Sequence, residues 1–338
     1  MRVAVLGCGA MGGMHALLLA GIPGVREVLV VDTDESRAAA VAREVKGRAV
    51  SHADAFDEAD AIVIATPAAL HAPAVEMAVS RGIPALCEKP LTDDLASSAA
   101  LVDHVERAGA HVEMGFQRRH DTGFAAARAR VADGSAGPIH LLRLTAFDPR
   151  TAPRGADAFP PNDAAPLFLH SSVHDFDFVR WMSGSEVVSV SAEGSRRDDP
   201  RPEDPREMET AIVTMRLADG ALAVLTASWL HPGGYDIRAE VLAERAHLTM
   251  GLSPRTPAEH ADWPGVSHDG WTGFLERFEP AYRNELVAFL AAARGERAPS
   301  SSVRDGHEAL RLAVAATRAY TERRSVDLSE ISMETGVA

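Results

Sequence analysis

The chain has 338 residues, enough for two domains at roughly 100–200 residues each. With 46% hydrophobic and 24% charged residues and a mean hydropathy near zero, it has a globular composition, which excludes a disordered, collagen-like or disulfide-stapled chain. No apolar run reaches the ~18 residues of a membrane span, and a formal net charge of −14 repels phosphate backbones, so neither a membrane nor a nucleic acid is an expected partner.

The first third alternates short apolar runs with amphipathic ones. Strands are predicted at 2–7, 28–31, 61–65, 84–87 and 111–116, and helices at 14–20, 36–45, 74–80 and 95–108. Runs apolar along their whole length, each followed by a helix, build a parallel sheet covered on both faces. The pattern changes after about residue 120. A helix is predicted at 122–132, a strand at 140–147, a long Pro/Ala/Asp-rich loop at 148–166 and a helix at 171–182. Strand-like segments follow at 186–193, 209–217, 221–229, 236–243 and 246–249, joined by short turns such as Ala218-Asp219-Gly220, which predicts a largely antiparallel sheet. Residues 253–272 carry five prolines or glycines and read as irregular, and helices are expected at about 274–294 and 303–323. The fold class is therefore α/β: a parallel-sheet domain over 1–118 and a second domain over 119–338 with a mostly antiparallel sheet.

Two cysteines, Cys8 and Cys87, make no disulfide framework, so a reducing cytoplasm is the expected location. Val5-Leu6-Gly7-Cys8 resembles a lipoprotein cleavage site, but the seven residues before the cysteine are too few for a charged and an apolar region, and no targeting segment is expected. Only two lysines occur, Lys46 and Lys89; nearly all other positive charge is arginine, as a GC-rich genome favours. A lysine that persists in such a background points to a compact ammonium that arginine cannot replace.

Gly7-Cys8-Gly9-Ala10-Met11-Gly12 fits G-x-G-x-x-G, between a predicted strand and a predicted helix. The first glycine allows the turn, the second admits a pyrophosphate, and the third lets helix and strand pack. The helix N-terminus then offers free N–H groups to the phosphates. Asp32 follows Gly12 by 20 residues at the end of the second strand, where a carboxylate accepts both ribose hydroxyls of NAD and repels the 2′-phosphate of NADP. Arg37 keeps a 2′-phosphate contact, and so NADP, open as the less favoured alternative. Thr66-Pro67 and Glu88-Lys89-Pro90 stand at strand ends, where ligands bind in open α/β sheets.

With these motifs the chain resembles the Gfo/Idh/MocA oxidoreductases. The likeness rests on the glycine loop, Ala65-Thr66-Pro67 with His71, Glu88-Lys89-Pro90, Gly115-Phe116-Gln117-Arg118-Arg119 and His174-Asp175-Phe176-Asp177. Asp148-Pro149 and Gly234-Tyr235-Asp236 look most like the inositol dehydrogenase branch. The resemblance implies hydride transfer between a nicotinamide and a secondary alcohol or ketone of a cyclitol or sugar. It implies catalytic roles for Lys89, which stabilises oxygen charge, and for His174, which carries the proton. It implies substrate contacts from Arg118, Asp148, His170, Asp177 and Tyr235. Cofactor contacts are expected from Gly7, Gly9, Ala10, Met11, Gly12, Asp32, Thr66, Pro67, His71, Glu88, Lys89 and Gln117. It also implies that 1–118 is a Rossmann NAD-binding domain and 119–338 a substrate-binding and oligomerisation domain, whose large open sheet builds a homodimer or homotetramer.

One position departs from the inositol dehydrogenase pattern. That pattern has an aspartate four residues before the histidine; here His170 stands there, and Ala164-Ala165-Pro166 replaces the preceding glycines. Substrate choice or direction is therefore open, and an NADPH-preferring sugar ketoreductase of secondary metabolism is the first alternative. A non-catalytic dinucleotide sensor is the second. His170 and His174 have a metal-ligand spacing, but Ser171 stands where His-Glu-x-x-His needs glutamate, so no metal is expected.

Overall fold

The computed structural model describes residues 1–149, 164–197, 206, 208–256, 260–263, 265–267 and 269–331. Val3–Leu6, Leu29–Val30 and Ala61–Ile64 are almost wholly buried, as continuous apolar strands must be when helices cover both faces. They form β1 (Arg2–Leu6), β2 (Glu27–Val31) and β4 (Ala61–Ile64), joined by β3 (Arg48–Ala49), β5 (Ala85–Cys87) and β6 (Val112–Met114) in a six-stranded sheet. Its order is β3-β2-β1-β4-β5-β6, all parallel. The strand order reverses between β1 and β4, which opens a crevice at the carboxyl ends of those strands.

The intervening helices are α1 (Ala10–Ala20), α2 (Glu35–Val45), α3 (His52–Glu58), α4 (His71–Ser80) and α5 (Leu95–Ala108). Asp34 caps α2 through the N–H groups of Ser36 and Arg37, Asp94 caps α5 through that of Ser97, and Gly109 closes α5 in a left-handed conformation. The short β3 and α3 are additions to the predicted pattern. Both residues of β3 are exposed and pair at the sheet edge, so they carry no hydrophobic periodicity.

The chain leaves this sheet after β6 and enters α6 (Thr122–Ala132), β7 (Ile139–Pro149), α7 (Val173–Ser183), β8 (Val187–Ser195), β9 (Thr210–Leu217), β10 (Leu222–His231), β11 (Asp236–Ala243) and β12 (His247–Met250). A small hairpin, β13 (His260–Asp262) and β14 (Gly265–Ser267), precedes α8 (Phe274–Ala293), α9 (Val303–Glu322) and β15 (Val326–Asp327). The large sheet runs β12-β11-β7-β10-β9-β8-β15 and is antiparallel at every pairing except β7 with β10. In β9 the residues Ala211, Val213, Met215 and Leu217 are buried while Ile212 is half exposed, the alternation of a sheet covered on one face. Helices α7 and α9 pack on that covered face.

Helix α8 returns to the first sheet. Its Leu286, Phe289 and Leu290 bury with Val3, Val5, Leu19 and Val28, so the C-terminal part of the sequence completes the packing of the N-terminal sheet. Most of the long loop predicted at 148–166 lies outside the described residues. Among the described residues no helix is long and apolar enough to cross a membrane.

Candidate active site

The glycine loop leaves β1 with Gly7 at φ +89°, where a Cβ would stand 2.6 Å from the carbonyl oxygen of Ala65. A Cβ on Gly12 would stand 1.8 Å from the Gly7 oxygen, so both positions demand glycine. Gly9 faces open space, and no side chain caps the N-terminus of α1. Asp32 accepts from Cys8 N at 2.7 Å and Asp34 N at 2.8 Å, with Arg37 Nη1 3.4 Å from both carboxylate oxygens. Burial pushes the Asp32 pKa up, but these bonds outweigh it and hold the group below the usual carboxylate range. An open cradle, an uncapped helix N-terminus and an ionised carboxylate at the end of β2 fit a dinucleotide. The Arg37 guanidinium is drawn onto Asp32 and Asp34. Cys8 and Cys87 are both buried free thiols, with Cys8 pushed up to about 11, first by burial and then by the Asp32 charge.

Where the first sheet meets the second lies a cavity of about 320 Å³. Thr66, Glu88, Lys89, Gln117 and Arg118 reach it from the carboxyl ends of β4, β5 and β6, and Met11 from α1. Asp148 from β7, His170 and His174 from the approach to and start of α7, and Tyr235 beside β11 close it from the other side. The sequence-predicted residues thus converge from both halves of the chain. Residues 167–172 form a π-helical turn ahead of α7, an arrangement that recurs at functional sites. Within it, the backbone carbonyl of His170 accepts a 2.9 Å bond from Lys89 Nζ.

Charge in this pocket is tightly distributed. Burial lowers the Lys89 pKa; Glu88 and Asp148 pull it back up and Arg118 lowers it further. His174 is held well below its ordinary value by burial, then by the Lys89 and Arg118 charges, and its Nδ1 has no hydrogen-bond partner among the described residues. His170 is lowered to about 3, again by burial and then Lys89. Both imidazoles are therefore neutral at physiological pH. Burial raises the Asp148 pKa. Its Oδ2 accepts from Ser171 Oγ at 2.9 Å, and that hydroxyl accepts from Trp229 Nε1 at 2.8 Å. Glu88 is opposed by burial but lowered overall by His15, whose Nε2 lies 2.7 Å from Oε1, and by Lys89. The pocket can hold a polar molecule against an ammonium, a neutral imidazole and carboxyl groups.

Three of the expected site residues do not line the cavity. Asp177 does not line the pocket: its carboxylate is bound to Arg119, Oδ2 to Nε at 3.0 Å and Oδ1 to Nη2 at 2.5 Å, with both side chains buried. It forms an internal ion pair. His71 also lies behind the wall, its ring nitrogens 2.8 Å from the carbonyl oxygens of Thr66 and Pro90, so it holds the loops without facing the cavity. Pro67 precedes the single turn at Ala68–Leu70 and does not line the cavity either.

Sequence reasoning missed Asp175, whose Oδ1 lies 2.5 Å from Nη1 of the buried Arg118. It also missed Ser171, Trp229, Ile237, Phe274 and Tyr282 in the cavity wall. Only Asp175 and Ser171 had a local signal, as neighbours of His174 and His170. Among the described residues no group of three or more His, Cys, Asp and Glu gathers as a metal site.

A six-stranded parallel sheet in this order, a glycine cradle closed by an acid and a polar cavity over a second sheet define a nicotinamide-dependent oxidoreductase with a Rossmann domain. The chain belongs to the Gfo/Idh/MocA family: residues 1–116 match its NAD-binding Rossmann oxidoreductase domain and residues 124–249 its C-terminal domain. It is 38% identical over 328 residues to myo-inositol dehydrogenase Hyg17 of Streptomyces leeuwenhoekii, covering 95% of this chain and 98% of that one. It is 31% identical over 348 residues to scyllo-inositol 2-dehydrogenase (NAD(+)) of Bacillus subtilis strain 168, covering 100% and 99%. The crystal structure of a myo-inositol dehydrogenase from Corynebacterium glutamicum superposes with a TM-score of 0.87 at 30% identity, covering 97% of this chain and 98% of that one.

Proposed function

We propose that this enzyme is an NAD(H)-dependent dehydrogenase of a cyclitol or closely related sugar, acting at a secondary alcohol. The observation that carries the reading is the convergence of Lys89 and His174 on one cavity beside an NAD-type glycine cradle. Likeness to three inositol dehydrogenases over nearly their full lengths supports the substrate class.

In this reading Gly7 and Gly12 shape the turn, Gly9 and the α1 N-terminus would admit the pyrophosphate and Asp32 would hold the adenosine ribose, while Met11, Thr66, Glu88 and Gln117 would border the nicotinamide end. NAD, when bound, supplies the acceptor for a hydride from the carbinol carbon. Lys89 donates to the reacting oxygen; its bond to the His170 carbonyl uses one ammonium proton and leaves two. His174 takes the hydroxyl proton on its imidazole, which burial keeps neutral. Arg118, Asp148, His170 and Tyr235 offer donors and acceptors for the remaining hydroxyls. Asp148 is oriented by Ser171, and Arg118 is fixed by Asp175. Ser171, Trp229 and Asp148 form one connected polar wall, the arrangement a polyol needs.

The division into a dinucleotide-binding unit over 1–118 and a substrate unit over 119–338, and a cytoplasmic location, belong to the same reading. So does a homodimer or homotetramer through the open face of the large sheet, where Ile212, Leu222 and Leu242 are 43–50% exposed. Sedimentation of the wild type and of Ile212→Arg tests the last point.

The test of function is nicotinamide reduction with NAD and with NADP across inositols, free sugars and sugar derivatives, for wild type and His170→Asp. Wild-type oxidation of an inositol with NAD supports the reading. Activity on inositol only in His170→Asp moves the native substrate elsewhere and makes His170 the specificity change. Binding of NADH without turnover of any substrate favours the sensor alternative.

A further inference from the structure

Glu88 directly follows β5 and is 6% exposed. His15, fully buried on α1, lies with Nε2 2.7 Å from its Oε1. An ionised carboxylate only accepts, so Nε2 carries the proton of that bond. The backbone N–H of Lys89 donates to Oε2 at 3.2 Å. A Cβ at Gly115 would stand 3.2 Å from the carboxyl carbon, so the glycine after β6 makes room for the group. His15 packs its ring edge-on to Tyr282 of α8, centroids 5.8 Å apart, and its Nδ1 has no hydrogen-bond partner among the described residues.

We propose that Glu88 is the buried counter-charge of the Lys89 ammonium and that His15 is the positioning residue that holds it there. The role rests on the assignment of Lys89 to the reacting oxygen. The groups that face Lys89 are Glu88 beside it, Asp148 from β7, Arg118 after β6, and the imidazoles of His170 and His174 across the cavity. Burial lowers the ammonium pKa, and Arg118 adds to that; of the two carboxyls that oppose them, Glu88 counts for more. Asp148 is itself pushed up by burial. Glu88 is also buried, but His15 and then Lys89 outweigh that burial and keep it ionised. Around Glu88 stand His71 from α4 and Tyr282 and Glu285 from α8. Burial holds the His71 ring below its ordinary value and the Tyr282 phenol well above its own, so neither carries charge at neutral pH. Glu285 is 2% exposed, with no hydrogen-bond partner on either oxygen among the described residues. Burial, then the Glu88 and Glu113 charges, hold it well above the usual carboxylate range. Two neighbouring buried carboxyls are thus set apart, Glu88 as the anion and Glu285 as the neutral acid. Without the Glu88 charge, Lys89 has Asp148 alone against burial and Arg118, and gives up its proton at lower pH.

The direct test is ¹³C NMR of protein carrying lysine labelled at Cε and saturated with NADH. The chain has two lysines, so two signals appear, and that of Lys89 is the one lost in Lys89→Met. Lys46, at the C-terminus of α2, is the internal reference. In Glu88→Gln the Lys89 midpoint is expected to fall by about one pH unit or more while that of Lys46 stays in place. His15→Phe keeps a ring but cannot donate, and is expected to move the midpoint in the same direction. An unchanged Lys89 midpoint in Glu88→Gln overturns the counter-charge; an unchanged midpoint in His15→Phe overturns the part given to His15. If neither variant folds, neutron diffraction from wild-type crystals decides: deuterium on His15 Nε2 and none on Glu88 is expected, and deuterium on Glu88 overturns the proposal. These readouts need no turnover, so they stand apart from the choice of substrate. Where a substrate is in hand, the basic limb of kcat/KM, set by loss of the Lys89 proton, is expected to move to lower pH in Glu88→Gln. A limb that stays in place while activity falls makes Glu88 merely structural and overturns the counter-charge.

Discussion

Lys89 Nζ donates a 2.9 Å hydrogen bond to the backbone carbonyl of His170, joining the end of β5 to the π-helical turn before α7 across 81 residues of sequence. The bond crosses between the two halves of the molecule, so the ammonium is aimed by the substrate side as well as by its own strand. Replacing Lys89 with Met removes the charge and the donor while keeping most of the volume. The expected loss in kcat is about 10²–10³, the range for removing one preorganised donor to a developing oxyanion. Arginine is not expected to rescue it, because a planar fork cannot replace a compact ammonium at this carbonyl. Steady-state kinetics with a parallel NADH titration separates loss of chemistry from loss of cofactor.

The pH profile carries a signed expectation. Alcohol oxidation needs His174 neutral, and burial, Lys89 and Arg118 all depress its pKa. The acid limb of kcat/KM is therefore expected well below pH 6.5, with activity flat through neutrality. In His170→Asp a carboxylate within one helical turn of His174 favours the imidazolium and opposes that depression, so the acid limb moves to higher pH. A wild-type limb at or above pH 6.5 would contradict the depressed His174 pKa.

Asp32 is expected to govern cofactor choice. It bonds two backbone N–H groups and holds Arg37 against itself. Asp32→Asn removes the charge that selects an unphosphorylated ribose and frees Arg37. The expected change is a fall of about 10–100-fold in kcat/KM for NAD, equivalent to roughly 1.4–2.8 kcal/mol, with a relative gain for NADP. The ratio of the two kcat/KM values is the measurement.

Asp177 separates structure from chemistry. Asp177→Ala leaves Arg119 buried, with Asp305 at 3.4 Å as its remaining acidic partner among the described residues and the Ser300 carbonyl at 2.8 Å. Removing one partner of a buried pair costs about 3–5 kcal/mol, and the shared Asp305 sets the expectation near the lower end. Urea unfolding should show that loss, while kcat/KM of the folded fraction stays within about twofold. A large catalytic loss at unchanged stability would restore Asp177 to the substrate site.

The parts of the fold written in local pattern were legible before the structure. The apolar runs of β1, β2 and β4 and the glycine cradle depend on neighbours in sequence, so they could be read directly. Helix α3 was missed although Ser51 accepts from Asp54 N, the serine-x-x-acid spacing of a helix start. The π-helical turn at 167–172 has no local signature, and an ordinary helix was expected from Ser171. Asp177 was chosen because it lies three residues from His174, yet Arg119 on a different element captures it. Trp229, Phe274 and Tyr282 belong to no motif, and only long-range packing brings them to the cavity wall.

The measurement that bears most directly on the proposed chemistry is a single-turnover experiment. Protein saturated with NAD is mixed with an inositol that the substrate panel identifies, and NADH absorbance is followed for wild type, Lys89→Met and His174→Asn. The expected result is rapid NADH formation in wild type and a loss of about 10²-fold or more in each variant, with NADH affinity unchanged. Equal rates in all three proteins would contradict the assignment of the reaction to Lys89 and His174.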